Sequence, residues 1–540
     1  MKYLSLLGLL LAPFPAFADL TLQQRIDDAT TLVNTFIHRY GPLPWKEELL
    51  GLDINAMSNT LMQEATDAKN DLDFYDAMIR FTAAFKDSHV SSSIPSTYSV
   101  SLPFRTDDFN GEVVLVDINR EKLPESLFPF RVGDRLVHFD EKPVDQVIEE
   151  LIPYKESGSL AANRRHAASL LTFRLQRKIP RIPNGSVAIG IYSMERKKEE
   201  TIILNWEPYG LPLANFQERE SLLGKGKAVS ILPKETTAFR STYSIYDTEP
   251  FYPLWDSFEM HQEKPYKTGI VTLQGRKIGY LRLHTWDLDA LEMKRSEVIQ
   301  FLAEEMVWFK ANTEALLIDQ TGNPGGSACL VEKVAGFFVN EPVPSIRFQI
   351  KATREWLQGF ESDYLGAKPA SEEKLLLGKQ VSAIRTALIS KKDLTEPLPI
   401  CSPDGTITPR TTESGESLTY DKPKLLLIDN LDCSGGDFFP AVLQDAGTVT
   451  LLGERTIGCG GTVEDVANLG YSDFTTRVTA SLMVRPKPQR LENGKETHYI
   501  ENVGVSPDIE CKITADDFRA GFPDYRQAVE EAVLQLIEPK

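Results

Sequence analysis

From Arg276 onward the chain repeats one unit: a short apolar run, a polar turn, then apolar residues at helical spacing. KIGYLRLHTW leads into a helical pattern near 288–311, ALLIDQ into one at about 327–339, and the apolar run at 424–429 into one at 436–446. TVTLLGE, two strands around 474–486, the stretch NVGVSPDI and a last helix, DYRQAVEEAVLQLI, complete the series. Helices that follow strands in this order must bury their apolar stripes against a sheet, which predicts a layered α/β core over 269–540. A polar, loop-rich insertion is expected at about 350–420.

The first half reads differently. LQQRIDDATTLVNTFIHRY and LDFYDAMIRFTAAF carry apolar residues at helical spacing, so 19–97 is expected to be a helical region. GEVVLVDI, DRLVHFD, GSVAIGIYSM and ETIILNW are short strand patterns that place a β domain at 98–206. Within it, FRVGDRLVHFDEKPVDQVIEEL has the order strand, Gly-Asp turn, strand, turn, helix, and its Gly133-Asp134-Arg135-Leu136 resembles the corresponding stretch of PDZ domains. Such domains bind extended chain ends by adding a strand to a sheet edge. Residues 207–268 are aromatic-rich and irregular and read as a connecting or arm segment.

The opening MKYLSLLGLLLAPFPAFA has Lys2, a short apolar stretch and Ala16-Phe17-Ala18, the pattern of a secretory signal cut after Ala18. The expectation is Sec-dependent export to a periplasm or beyond, without membrane insertion. A net charge of −18 with no basic tract argues against nucleic acid as a partner. Five cysteines (329, 401, 433, 459 and 511) leave at least one outside any intrachain disulfide. None stands in a C-x-x-C or Cys/His cluster, so neither a zinc site nor any other cofactor is expected.

The chemistry centres on LLLIDNLDCSGGDFFPAVLQDAG, in which Ser434 stands on a strand-to-helix turn where backbone N–H groups converge. A helix cap is the competing reading of that serine. Four stretches, this one among them, fall in the order of one family. LLIDQTGNPGGS at 316–327, the Ser434 segment, LLGERTIGCGGTV and ENVGVSPDIE resemble motifs of the C-terminal-processing (tail-specific) serine proteases. The resemblance implies a crotonase-like ββα protease core and peptide-bond hydrolysis. It also assigns the oxyanion hole to Gly325, Gly326 and Gly435, through backbone N–H groups.

One departure matters. Most of that family pairs the serine with a lysine in the Gly-x-Gly stretch, and here the slot holds Cys459. A thiol is a poor general base unless ionised. His89, in Asp87-Ser88-His89, resembles the Asp-x-His motif of the subgroup similar to the chlamydial protease-like activity factor, where histidine is the base and glutamate completes the set. That implies a Ser434/His89/Glu501 triad, with Glu492 as the alternative third member.

The substrate expected is an unfolded or extended polypeptide; cleavage site and oligomeric state stay open, a homodimer among the options. Two rival readings keep the sequence features but change the function. One is an inactive peptide- or lipid-binding protein on the same fold. The other is a cysteine hydrolase using Cys433 or Cys459.

Overall fold

The computed structural model describes residues 19–213, 255–466, 469–491 and 493–538. The segment 1–18 expected to be a signal, most of 207–268, and Glu492 therefore lie outside the described residues.

Seven strands form the central sheet, in the spatial order Glu259–Gln262, Thr268–Leu273, Arg276–Arg282, Ala315–Asp319, Lys424–Ile428, Thr450–Gly453 and Ile509–Glu510. The first three pair antiparallel; from Arg276–Arg282 onward each pair is parallel. Side chains alternate between two cores, as the two-residue period of a strand requires. Leu316, Ile318, Leu426 and Ile428 face one layer, with Leu302 and Phe309 of helix Arg295–Asn312, Val334 of helix Ala328–Ala335 and Phe438 of helix Gly435–Ala446. Leu317, Leu425 and Leu427 face the other, under Val529 and Val533 of helix Pro523–Ile537. Strands buried on both faces read as unbroken apolar runs, which is why this core was visible in the sequence.

The stretch expected as loop-rich at 350–420 instead carries helices Arg354–Gly366 and Glu372–Ile389. The first buries no residue completely, but its Trp356 and Phe360, one turn apart, pack against the main core. Cys401, just beyond this pair, is disulfide-bonded to Cys329 in helix Ala328–Ala335.

A smaller antiparallel sheet is built from Phe104–Phe109, Glu112–Ile118, Arg135–Phe139, Ser186–Ser193 and Lys198–Asn205, with Lys142–Pro143 paired to its middle strand. The Gly-Asp turn is specified by both of its residues. Gly133 adopts φ 93°, and Asp134 accepts the N–H groups of Arg131 and Met194, each at 2.8 Å. Arg165 ties this unit to the main core, bonding Asp107 on one side and Asp429 and Asn430 on the other.

Four helices, Leu22–Arg39, Leu43–Leu50, Ile54–Asp67 and Asp71–Ala83, make the N-terminal region. Their core includes Leu469, Phe474 and Val478 from the far end of the chain. Asp28 takes the N–H groups of Tyr471 (3.0 Å) and Ser472 (2.7 Å), and strand Ser91–Ser93 pairs antiparallel with Thr475–Thr479. This docking carries the segment around residue 89 onto the main core.

Candidate active site

The turn bearing Ser434 is fixed from beneath. Asp432, fully buried, accepts from the N–H groups of Asp429 and Asn323 and from the Gln320 side chain, at 3.0, 2.8 and 3.0 Å. Burial and the neighbouring charge of Asp429 hold its carboxyl well above the usual range. Ser434 has φ 59° and ψ −108°, an unfavourable conformation for a residue with a Cβ. The surrounding bonds maintain it: the Cys433 N–H donates to Asn323 O (2.9 Å) and the Ser434 N–H to Asp437 Oδ2 (2.8 Å).

Asp437 is a residue the sequence reading passed over. Its Oδ2 also accepts the Cys459 N–H, and its Oδ1 accepts the Gly458 N–H, each at 3.0 Å. One buried carboxylate thus clamps the Gly458-Cys459 stretch against the serine turn. Burial pushes its pKa up to about 6 despite these donors. The Ser-x-x-Asp spacing of a capping box was the available signal.

Gly325 packs directly on the turn. A Cβ there would lie 2.6 Å from both the Cys433 carbonyl oxygen and Ser434 Cβ, and its φ is +96°. Its N–H donates to Asn323 Oδ1 at 2.8 Å, so this group is already engaged. Gly325 therefore shapes the site, and the N–H groups of Gly326 and Gly435 remain for an oxyanion. Both residues must be glycine: a Cβ on Gly326 would meet the Trp286 carbonyl carbon at 2.2 Å, and one on Gly435 the Trp286 ring at 2.8 Å.

His89 follows helix Asp71–Ala83, and its backbone N–H donates to Asp87 Oδ1 at 2.9 Å. Asp87 Oδ2 accepts the Tyr40 and Thr479 hydroxyls, each at 2.8 Å. Burial opposes ionisation of Asp87, but Lys46, His89 and these two donors outweigh it and hold the pKa low. A ring nitrogen of His89 and the sulfurs of Cys433 and Cys459 all lie within 4.8 Å of one another. The imidazole thus stands beside the residue preceding Ser434. Nδ1 is buried without a hydrogen-bond partner. Burial lowers the His89 pKa, with Arg477 and Lys46 acting in the same direction and Asp87 against.

Cys433 and Cys459 form a disulfide with Cα atoms 5.4 Å apart. The slot that lacks lysine is thus filled by half of a cystine, and neither sulfur is a free nucleophile in this state. Cys511 is the free cysteine among the described residues.

Glu501, the expected third member of the triad, lies in a turn beyond strand Glu496–Tyr499 and is fully buried. Its Oε1 accepts from Lys46 Nζ at 2.5 Å and its Oε2 from the Gly460 N–H at 2.9 Å. Lys46 is equally buried and also bonds Asn502 Oδ1 and the Lys86 carbonyl. Burial and the nearby Asp87 charge push Glu501 up to about 8, against the pull of Lys46. Among the described residues no hydrogen bond joins Glu501 to His89, or His89 to Ser434. Lys46 had no signal in the sequence, since PWKEELL reads as an ordinary amphipathic turn.

The site combines a strained serine on a helix N-terminus, glycine N–H groups beside it, and a half-buried imidazole next to a carboxylate–lysine network. That set serves acyl transfer by a serine hydrolase. Residues 277–511 match peptidase family S41, and residues 98–218 match a PDZ domain. The chain is a serine-type peptidase, with an S41 domain behind a PDZ domain and a helical N-terminal region. Its relatives include an uncharacterised protein of Chlamydia muridarum, 26% identical over 96% of this chain and 94% of that one, and a Chlamydia trachomatis protein, 25% identical with the same coverage. Among solved structures, mature CPAF complexed with lactacystin superposes with a TM-score of 0.79 at 25% identity, covering 96% of this chain and 99% of that one.

Proposed function

We propose that this chain is an exported serine endopeptidase in which Ser434 attacks the peptide carbonyl, His89 is general base and acid, and Glu501 completes the triad. The observation that carries the reading is the position of the His89 ring, within 4.8 Å of the sulfurs flanking the serine turn although the two segments are far apart in sequence. His89 takes the Ser434 proton as Oγ bonds to the carbonyl carbon, and the N–H groups of Gly326 and Gly435 receive the developing oxyanion. His89 then delivers the proton to the leaving amine, and water hydrolyses the acyl-enzyme with His89 again serving as base and then acid. A lowered imidazole pKa keeps the base form available at neutral pH.

Glu501 is supported by its complete burial and by its bond to Gly460, next to the cystine that borders His89. As positive charge grows on the imidazole, the ionised Asp87 supplies a field that favours it, with Lys46 and Arg477 acting against. Extended polypeptides suit a PDZ-bearing peptidase as substrates, the PDZ edge helping to admit them. Export is supported by the N-terminal leader pattern and by the two disulfides, which persist in oxidising compartments.

Fluorophosphonate labelling followed by digestion tests the reading. Labelling at Ser434 that disappears in Ser434→Ala, and whose rate falls on the order of a hundredfold in His89→Ala, is expected. Unlabelled, folded wild-type protein would favour the inactive binding module. Loss of peptide hydrolysis in Glu501→Gln, with Asp87→Asn less affected, is expected if Glu501 is the third member.

A further inference from the structure

The cystine beside His89 has a second chemistry. Two thiolates and an imidazole are a ligand set suited to Zn²⁺, which binds sulfur at about 2.3 Å and imidazole nitrogen at about 2.0 Å. On one tetrahedral ion those bond lengths place the sulfurs about 3.8 Å apart and each sulfur about 3.5 Å from the nitrogen. The nitrogen and both sulfurs lie within 4.8 Å of one another, so small side-chain movements would bring them to that spacing. No Cys/His cluster is visible along the chain; this one exists only in space. The polypeptide already holds its members there: Asp437 fixes the Cys459 N–H, Asn323 the Cys433 N–H and Asp87 the His89 N–H. His89 Nδ1 is buried and unpartnered, as a nitrogen available for a further bond must be.

We infer that, when the Cys433–Cys459 bond is reduced, His89, Cys433 and Cys459 form an inhibitory site for one zinc ion. A dithiol reductant opens the bond by exchange: the cystine gains two electrons and two protons, and the dithiol closes to its own disulfide. Zn²⁺ then binds two thiolates and the imidazole with release of two thiol protons. With its nitrogen on the metal, His89 cannot take the Ser434 proton, and hydrolysis stops. A disulfide oxidant reverses the exchange: it takes two electrons from the thiolates and two protons from water, the thiolates close to cystine, and with two ligands gone the ion is freed. Metal binding rests on the geometry alone; inhibition also rests on the assignment of His89 as base.

The test uses the full chain, reduced, freed of reductant without air and titrated with Co²⁺ and then Zn²⁺. One equivalent of Co²⁺ should give thiolate-to-metal charge-transfer absorption that Zn²⁺ displaces. The absorption should persist in Ser434→Ala, and should vanish or require roughly tenfold more metal in Cys433→Ser, Cys459→Ser and His89→Gln. Should those variants misfold, zinc X-ray absorption on the wild-type chain decides, with two sulfurs and a nitrogen expected at the distances above. Absence of the charge-transfer band, or its survival in Cys459→Ser, overturns the site. Zinc should suppress peptide hydrolysis by the reduced chain about tenfold or more and a chelator restore it, while the oxidised chain is unaffected. An undiminished rate with zinc bound overturns the inhibition. If oxidised His89→Gln hydrolyses peptide as well as wild type, the base assignment fails while the metal site stands.

Discussion

At the residue scale the centre is governed by buried charges that share too few partners. Asp87 and Glu501 are both buried and close enough to repel, and Lys46 is buried with them. Truncating one partner of such a set leaves an uncompensated charge, so Lys46→Met should destabilise by about 3 kcal/mol in urea unfolding. Glu501 also gives stability a pH dependence. Its folded pKa of about 8 lies above its ordinary 4.5, so the folded state keeps a proton that the unfolded state releases between those values. That contribution is complete below about pH 4.5 and fades as pH rises through 8. The wild-type urea midpoint should therefore decline across this window relative to Glu501→Gln, which lacks the titrating group. The proposed oxyanion donors give a third expectation. Gly435→Ala places a methyl against Trp286 and displaces its N–H, at a cost on the order of 3 kcal/mol of transition-state stabilisation. It should lower kcat about a hundredfold, measured on a fluorogenic peptide, with less effect on KM.

At the element scale the decisive feature is how a strand, a turn and a helix hold Ser434 in a conformation it would not choose. The strand Lys424–Ile428 and the helix Gly435–Ala446 were legible from apolar periodicity and from the Ser-Gly-Gly turn. So was the conformational need for glycine at 325, 326 and 435. The engagement of the Gly325 N–H by Asn323 was not legible, because a side-chain acceptor two residues away is a matter of rotamer. The helical pair in 350–420 was missed although Trp356 and Phe360 of the first helix, and Val381 and Ile384 of the second, turn inward at helical spacing. Its anchor is the Cys329–Cys401 disulfide, which closes a span of 72 residues. Loop-closure entropy assigns such a link about 4 kcal/mol. Cys401→Ser should lower the thermal midpoint of the oxidised chain clearly in calorimetry, and a reduced wild-type chain, which also loses the Cys433–Cys459 bond, should melt no higher than the variant.

At the scale of the whole molecule, the proposed catalysis requires three regions of the chain to meet around one turn. The N-terminal helices deliver His89, Asp87 and Lys46, and the sheet delivers Ser434. The PDZ domain is bolted to the same turn by Arg165, whose guanidinium spans Asp107 and Asp429 and is 8% exposed. Arg165→Met should leave Asp429 buried without its cation, a cost of about 3 kcal/mol. It should also lower kcat for long peptides more than for short ones, because the PDZ edge loses its fixed register to the serine; steady-state kinetics on the two lengths would show this. The fold class and the family's motifs could be read along the chain because each is local: a period, a turn, a glycine pair. The partners of Glu501 could not, because Lys46 and Gly460 reach it from different parts of the chain.

What the sequence determined by itself was the kind of machine, since apolar periodicity fixes which layers must pack and a Ser-Gly-Gly turn fixes where a hydroxyl stands. Only the tertiary structure decided what surrounds that hydroxyl. The pairing of Cys433 with Cys459, the engaged Gly325 N–H and the lysine on Glu501 arise from distance in space, and spatial distance between remote segments is set by packing, not by order along the chain.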